Sequence, residues 1–250
     1  MFIPLFDVNP TRLRPLVTPV LLASNVMVWL WQLQTMSVRG AEEVLFEWGL
    51  VPALLWTDPV GRASTLVSSM FLHGSWAHLG GNLLFLHVFG DNVEEALGRV
   101  RYAAFYVLGG VLAALAQALV EPVAMVPMVG ASGAVAAVLG AYLVLYPHAP
   151  ITVLNTFILP WPLLSFPAWL AIGMWFVLNL VGGLAAFGMG RGGGVAYFAH
   201  LGGFAAGLLA IRLCMAGRQC RNMDRWRAWR PPPRPSQGEP PTNRGFPPDW

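Results

Sequence analysis

The sequence predicts an all-α membrane protein built from six spanning helices. Of its 250 residues, 56% are hydrophobic and only 11% are charged, whereas soluble domains carry roughly 25% charged residues. Several apolar runs approach the length of about 18 to 20 residues that a helix needs to cross a bilayer. Six predicted spans follow from these runs, at residues 15–34, 76–93, 102–120, 132–146, 169–187 and 195–216.

The positions of the arginines predict that both ends of the chain lie in the cytosol. Arg12 and Arg14 precede the first predicted span, Arg99 and Arg101 join the second to the third, and seven arginines follow the sixth. An even number of spans puts these three groups on one side, and short loops rich in arginine face the cytosol. The loop at 147–167 belongs on the same side, although it contains no arginine.

The first loop on the opposite side contains a stretch, residues 41–56, that mixes acidic residues with large apolar ones. This composition is typical of a helix that lies in the membrane interface. A loop packed against the helix bundle would explain it equally well, so both interpretations stay open.

By composition the chain divides into three segments: a cytosolic N-terminal segment at 1–14, a six-helix membrane domain at 15–216, and a tail at 217–250. The tail is rich in Arg and Pro and cannot bury a core, so we expect it to be disordered in the cytosol. The first predicted span is too long for a cleaved signal peptide and lacks a small-residue cleavage pattern. Cys214 and Cys220 lie beside the cytosolic tail, where a structural disulfide is not expected.

Composition also narrows the classes of partner. The formal net charge of +3 rests on 15 basic residues, all of them arginines, and most lie near the chain ends instead of forming a stripe. Nucleic-acid binding is therefore not expected. The lipid bilayer is the partner that the apolar composition predicts directly.

Polar side chains within or next to the predicted spans are candidates for function, because polar and ionisable groups are costly inside a bilayer. Five such residues stand out: His73, His78, Asn82, Ser132 and His200. His78 and Asn82 are four residues apart, which places them about one turn apart on the same helix face. His87, nine residues beyond His78, faces the other way, and we expect a packing or interface role for it.

Ser132 has the surroundings of a nucleophile. It lies in Gly130-Ala131-Ser132-Gly133 at the start of the fourth predicted span, where the unpaired N–H groups of a helix N-terminus would stabilise developing negative charge. A serine hydroxyl needs a base, and in a dry site a neutral histidine can serve without a third, charged carboxylate. His200, in the outer half of the sixth span, is the candidate base.

Small residues on two predicted spans indicate how Ser132 and His200 would meet. They form two seams: Ala199, Gly203 and Gly207 on the sixth span, and Gly133, Ala136, Ala137 and Gly140 on the fourth. Residues of this size let helix backbones approach closely in lipid. We therefore expect the fourth and sixth spans to touch and to bring the hydroxyl within reach of the imidazole.

Each motif alone also has a purely structural interpretation. Gly-x-Ser-Gly can pack helices through small residues, a lone intramembrane histidine can form an interhelical hydrogen bond, and His78 with Asn82 can hold spans together. A metal-dependent protease or transporter using His73, His78 and His200 is disfavoured, because the sequence has no His-Glu-x-x-His motif and no carboxylate is expected in the candidate site. No metal or other cofactor is expected.

In combination, the motifs resemble those of the rhomboid intramembrane serine proteases over about residues 60 to 210. The family pattern places a histidine ahead of the second span, His-x-x-x-Asn within it, then Gly-x-Ser-Gly, then Ala-His followed by glycines. This sequence reads His73-Gly-Ser-Trp-Ala-His78-Leu-Gly-Gly-Asn82, Gly130-Ala131-Ser132-Gly133 and Ala199-His200-Leu-Gly-Gly203, with Glu94 and Gly98 closing the second span.

The resemblance implies a catalytic dyad in which Ser132 attacks a peptide bond and His200 is its base. It also implies an oxyanion hole made by the Ser132 N–H and the side chains of His78 and Asn82. The supporting residues that it implies are His73 near the water-facing rim, and Gly130, Gly133, Gly203 and Gly207. Two features depart from relatives: Ala136 stands where an aromatic ring often stacks on the histidine, and the Trp-Arg pair often seen in the first loop is not evident.

The substrates that the resemblance implies are transmembrane proteins, whose helices must unwind locally before a peptide bond becomes accessible. The alternative is a catalytically inactive relative that binds membrane proteins; such relatives usually lack the serine or the histidine, whereas this chain has both. The spans and basic ends predict an integral membrane protein, most simply of a bacterial plasma membrane, with an organelle membrane as the other interpretation.

Overall fold

A computed structural model describes residues 2–156, 162–188 and 195–215. Within these ranges the chain forms, in order, β1 (Phe2–Asp7), α1 (Val17–Arg39), α2 (Ala41–Trp48), α3 (Pro52–Thr57), α4 (Thr65–Ser68), α5 (Trp76–Leu97), α6 (Arg99–Val120), α7 (Ser132–Leu145), β2 (Pro150–Asn155), β3 (Leu163–Pro167), α8 (Ala168–Gly188) and α9 (Tyr197–Cys214). The predicted disordered tail at 217–250, with Cys220, lies outside the described residues.

The described chain is mostly helical, but the prediction of an all-α fold is wrong in one respect. β2 pairs antiparallel with β1 on one side and with β3 on the other, which makes a three-stranded sheet. The sheet joins the N-terminal segment to the predicted loop at 147–167. In strands of five or six residues the alternation of apolar and polar side chains is too short to be distinguished from a loop. Their pairing also depends on segments that are far apart in sequence.

The chain is a multi-pass membrane protein. Among the described residues, three helices are long and apolar enough to cross a bilayer: α6, residues Ala168–Ala185 of α8, and α9. α7 is apolar but has only 14 residues, which reach roughly 21 Å against the roughly 30 Å of a bilayer core. α1 and α5 have 23 and 22 residues, and α5 carries Asp91, Glu94 and Glu95 near its end.

α7 lies at the centre of the described bundle, in contact with α5, α6, α8 and α9. Eleven of its 14 residues are buried. A helix surrounded by other helices has to be apolar on nearly every face, and the sequence of α7 meets this requirement. Its closest approach is to α9: a Cβ on Gly207 would lie 2.0 Å from the carbonyl oxygen of Ala137, and a Cβ on Gly203 would lie 2.1 Å from that of Gly133. The predicted contact between the two small-residue seams is confirmed.

The first loop is helical where its sequence mixes acidic and apolar residues, and it packs against the bundle. α2 is helical, and Val44 within it is fully buried. Trp48, the last residue of α2, packs edge-on against Trp31 of α1 with ring centroids 5.6 Å apart. The stretch therefore begins with a short helix, α2, that packs against the first helix of the bundle, and continues into α3.

Asp7 fixes β1 to the helices. The Tyr142 hydroxyl of α7 donates to Asp7 Oδ2 at 2.5 Å, and Asn92 Nδ2 of α5 donates to the same oxygen at 3.0 Å. Burial raises the pKa of Asp7 from 3.8 to about 7; the hydrogen bond from Tyr142 opposes this rise and the nearby carboxylate of Asp91 adds to it. The N-terminal strand is thus held by a carboxyl group that titrates near neutral pH.

Candidate active site

Ser132 and His200 lie at the N-terminal ends of α7 and α9, where the two helices are in contact. His200 Nε2 is 2.7 Å from Ser132 Oγ, an ordinary distance for a hydrogen bond that involves a hydroxyl. The close packing of the small-residue seams therefore brings together the hydroxyl and the imidazole that the sequence singled out.

The two side chains line a cavity of about 490 Å³. Residues of α5, α6, α7, α8 and α9 form most of its wall, together with the connection between α6 and α7. Its polar side chains are His78, Asn82, Gln117, Glu121, Ser132 and His200. Within the described ranges, no group of three or more His, Cys, Asp or Glu side chains is placed to hold a metal ion.

Glu121, directly after α6, corrects the expectation that the candidate site contains no carboxylate. It lines the cavity, and its Oε2 accepts a hydrogen bond from Gln117 Nε2 at 3.1 Å. Gln117 Oε1 in turn accepts from the Ala199 N–H at 3.0 Å, so these side chains join α6 to the residue before His200. The sequence marks Glu121 only as the end of an apolar run; the packing of α6 beside α9 brings it to the site.

His78 and Asn82 both line the cavity from one face of α5, as their spacing predicts. The backbone of Gly130 packs against them: a Cβ there would lie 2.6 Å from His78 Nε2 and 3.7 Å from Asn82 Nδ2. Gly130 has φ of +125°, which favours glycine. Asn82 Nδ2 is buried without a hydrogen-bond partner among the described residues, so a donor is left unused beside Ser132.

His73 lies behind His78 and is buried within the protein. Its side chain is 0% exposed, and its ring packs edge-on against that of His78 with centroids 5.2 Å apart. Gln32 of α1 accepts from the His73 N–H at 2.9 Å and donates to its carbonyl at 2.8 Å. Burial lowers the pKa of His73 to about 4, and His78 adds to this effect, so the His73 ring is neutral at neutral pH.

Two side chains of α8 that the sequence analysis did not select complete the surroundings of His200. Asn179 Oδ1 lies 2.6 Å from His200 Nδ1, and the Trp175 ring lies 5.8 Å from the imidazole at an interplanar angle of 38°. Asn179 stands in an otherwise apolar run of the sequence. Because polar groups are costly inside a bilayer, this signal could have marked it as a candidate. Trp175 supplies a ring beside His200, where Ala136 supplies none.

Residues 60–217 match the Rhomboid domain family. The chain is 34% identical over 212 residues to Rhomboid protein 1, mitochondrial, of Saccharomyces cerevisiae, a match that covers 83% of this chain and 55% of the yeast protein. It is 28% identical over 141 residues to the putative rhomboid protease YdcA of Bacillus subtilis, covering 53% of this chain and 63% of that protein. With Rhomboid-like protease 5 of Toxoplasma gondii it shares 34% identity over 150 residues, which cover 60% of this chain and 16% of that protein. The chain thus spans about half the length of the yeast relative. It belongs to the rhomboid family.

Proposed function

We propose that this chain is an intramembrane serine endopeptidase that cleaves transmembrane proteins through a dyad of Ser132 and His200. The distance of 2.7 Å between Ser132 Oγ and His200 Nε2 carries the proposal. The cavity beside the two groups supports it, and so does membership of a family in which relatives are called proteases.

The first half of the proposed reaction transfers an acyl group to the enzyme. Ser132 Oγ attacks the carbonyl carbon of the scissile bond while its proton passes to His200 Nε2. The carbonyl oxygen becomes an oxyanion in the tetrahedral intermediate. As the intermediate collapses, the C–N bond breaks and His200 gives the proton to the leaving amine. An ester at Ser132 and a free amine result.

Water completes the second half. It gives a proton to His200 Nε2 while its oxygen attacks the ester carbonyl, and the second tetrahedral intermediate then expels Ser132 Oγ, which takes the proton back. One water is consumed for each peptide bond that is cut. The scheme requires no metal ion or other cofactor.

Three N–H groups are proposed to bind the oxyanion: the Ser132 backbone N–H at the start of α7, Asn82 Nδ2, and the ring N–H of His78. The unused donor of Asn82 supports this assignment. The Gly74 N–H lies 3.4 Å from His78 Nδ1, an arrangement in which Nδ1 accepts and Nε2, the nitrogen near Gly130, carries the proton. Preorganised donors of this kind contribute on the order of 10²- to 10³-fold each in rate.

The proposal also includes the topology. The six spans would be α1, α5, α6, α7, α8 and α9, with both ends of the chain in the cytosol, in a bacterial plasma membrane. The arginines before α1 and at the start of α6 support this orientation. Because backbone groups within a helix are already paired, a substrate helix would unwind locally before one of its peptide bonds reaches Ser132.

A cleavage assay in lipid vesicles tests the proposal. The purified chain is mixed with a single-span model protein, and the fragments are mapped by mass spectrometry. We expect cleavage that is lost in Ser132→Ala and retained in Ser37→Ala, whose hydroxyl donates to the carbonyl of Gln34 on an exposed part of α1. Cleavage by Ser132→Ala at the wild-type rate would refute the dyad, and a wild type that binds the model protein without cutting it would be a non-catalytic binder.

A further inference from the structure

α8 presents two side chains to His200, Trp175 and Asn179, which are four residues and about one turn apart. Asn179 Oδ1 lies 2.6 Å from His200 Nδ1, while Ser132 Oγ lies 2.7 Å from Nε2. Both nitrogens of the ring are therefore engaged, each by a different helix. The Trp175 ring packs beside the imidazole with its centroid 5.8 Å away.

A second hydrogen bond sets the orientation of the Asn179 amide. Its Nδ2 lies 2.8 Å from the carbonyl oxygen of Trp175, one turn earlier in α8. A carbonyl oxygen can only accept, so the amide nitrogen faces it and Oδ1 faces His200. The reversed amide would set two acceptors against each other at Trp175.

This orientation decides which nitrogen of His200 carries the proton. Oδ1 is an acceptor, so it requires a hydrogen on Nδ1. A neutral imidazole has one N–H, and Nε2 is then left with a free lone pair directed at Ser132 Oγ. The other tautomer would set two lone pairs against each other at 2.6 Å and would leave Nε2 unable to take the serine proton.

We propose that Asn179 is a positioning residue that holds His200 in the tautomer able to accept a proton from Ser132, while Trp175 limits rotation of the ring. The inference rests on the proposed function. When His200 takes up the serine proton, Nδ1–H continues to donate to Oδ1, so one contact serves both states of the imidazole. A neutral amide, 8% exposed, does this without placing a carboxylate inside the bilayer, where charge is costly.

Kinetics of two substitutions separate positioning from packing. Asn179→Leu keeps the volume and removes the acceptor, so kcat should fall on the order of 10²- to 10⁴-fold with little change in KM. Asn179→Asp restores an acceptor and should keep most of the activity, but the acidic limb of its pH–rate profile should move to higher pH, because a carboxylate stabilises protonated imidazole. Leu178→Ala, at a position of α8 that is 69% exposed, is the matched control and should cleave at the wild-type rate.

A second measurement does not require any Asn179 variant to fold. In the wild type labelled with ¹⁵N-histidine, the His200 signals should show a protonated Nδ1 and an unprotonated Nε2 at neutral pH. An Asn179→Leu variant that folds and cleaves like the wild type would overturn the inference and leave the dyad standing. A protonated Nε2 in a wild type that cleaves would also overturn the inference, because the imidazole would then not be held in the proposed tautomer. A wild type that cleaves nothing would refute the proposed function instead, and the spectrum would still show which nitrogen of His200 is protonated.

Discussion

The carboxylate of Glu94 accepts hydrogen bonds from both the backbone N–H and the hydroxyl of Thr18, each at 2.8 Å. Its other oxygen accepts from the N–H groups of Leu16 and Val17 at 2.7 and 2.9 Å. A residue of α5 thereby satisfies donors at the start of α1 that have no partner within their own helix, and its negative charge is favourable at that end. The contact joins α1 to the helix that carries Asn82.

Replacing Glu94 with Gln should lower the free energy of unfolding by about 2 to 5 kcal/mol, because an amide removes the charge and sets a new donor against buried donors. Denaturant unfolding in detergent, followed by circular dichroism, measures the change. Glu42→Gln, at an exposed position of α2, is the control and should change stability by less than about 0.5 kcal/mol. Equal stability of the two variants would show that the Glu94 contacts contribute little.

The contact between α7 and α9 makes Gly207 sensitive to any side chain. A Cβ at this position would lie 2.0 Å from the carbonyl oxygen of Ala137, so Gly207→Ala must push the helices apart, at a cost of about 3 kcal/mol or more. Ser132 and His200 would separate with them, and cleavage should fall together with stability. Gly173→Ala on α8, where a Cβ would meet nothing within 4 Å, should retain both. A Gly207→Ala variant as stable and active as the wild type would contradict this packing.

Asn82→Leu tests the proposed oxyanion hole. Loss of one donor should lower kcat on the order of 10²- to 10³-fold and leave KM nearly unchanged, because the oxyanion exists only after attack has begun. His87→Ala, at an exposed position of the same helix, should cleave at the wild-type rate. If Asn82→Leu raises KM and leaves kcat unchanged, Asn82 contacts the bound substrate and not the oxyanion.

The carboxyl group of Asp7 should make the docking of β1 depend on pH. Its pKa in the folded chain, about 7, lies above the usual 3.8, so folding takes up a proton between these values. The protonated carboxyl of Asp7 therefore stabilises the folded state fully below about pH 4, and this contribution is lost as pH rises through 7. The difference in unfolding free energy between wild type and Asp7→Asn should therefore change with pH by up to ~1.4 kcal/mol per unit in this window. A difference that stays constant from acid to neutral pH would contradict the raised pKa.

The parts of the site that the sequence predicted are those encoded by short local patterns. Ser132 lies between the two glycines of a Gly-x-Ser-Gly motif, and His200 precedes small residues four apart that face the seam on α7. Spacing alone put His78 and Asn82 on one face of α5. In each case the helical period and the size of the side chains were sufficient to predict which residues lie close together.

The parts that the sequence did not predict depend on contacts between distant segments. β1 and β2 are paired although about 150 residues separate them in the chain, and neither has a strong pattern of its own. His73 is buried beside α1, where Gln32 binds both its backbone N–H and its carbonyl. Asn179 becomes relevant only where α8 packs beside α9. Local periodicity carries no information about any of these contacts.

Mapping the residue that a fluorophosphonate probe modifies tests the dyad most directly, because the probe reacts with a serine hydroxyl only when a nearby base activates it. The wild type in lipid, His200→Gln, and the exposed-position control His87→Ala are treated alike and digested for mass spectrometry. Modification at Ser132 in the wild type and the control, lost in His200→Gln, is the predicted result. Modification at another serine, or at Ser132 to the same extent without His200, would contradict the account.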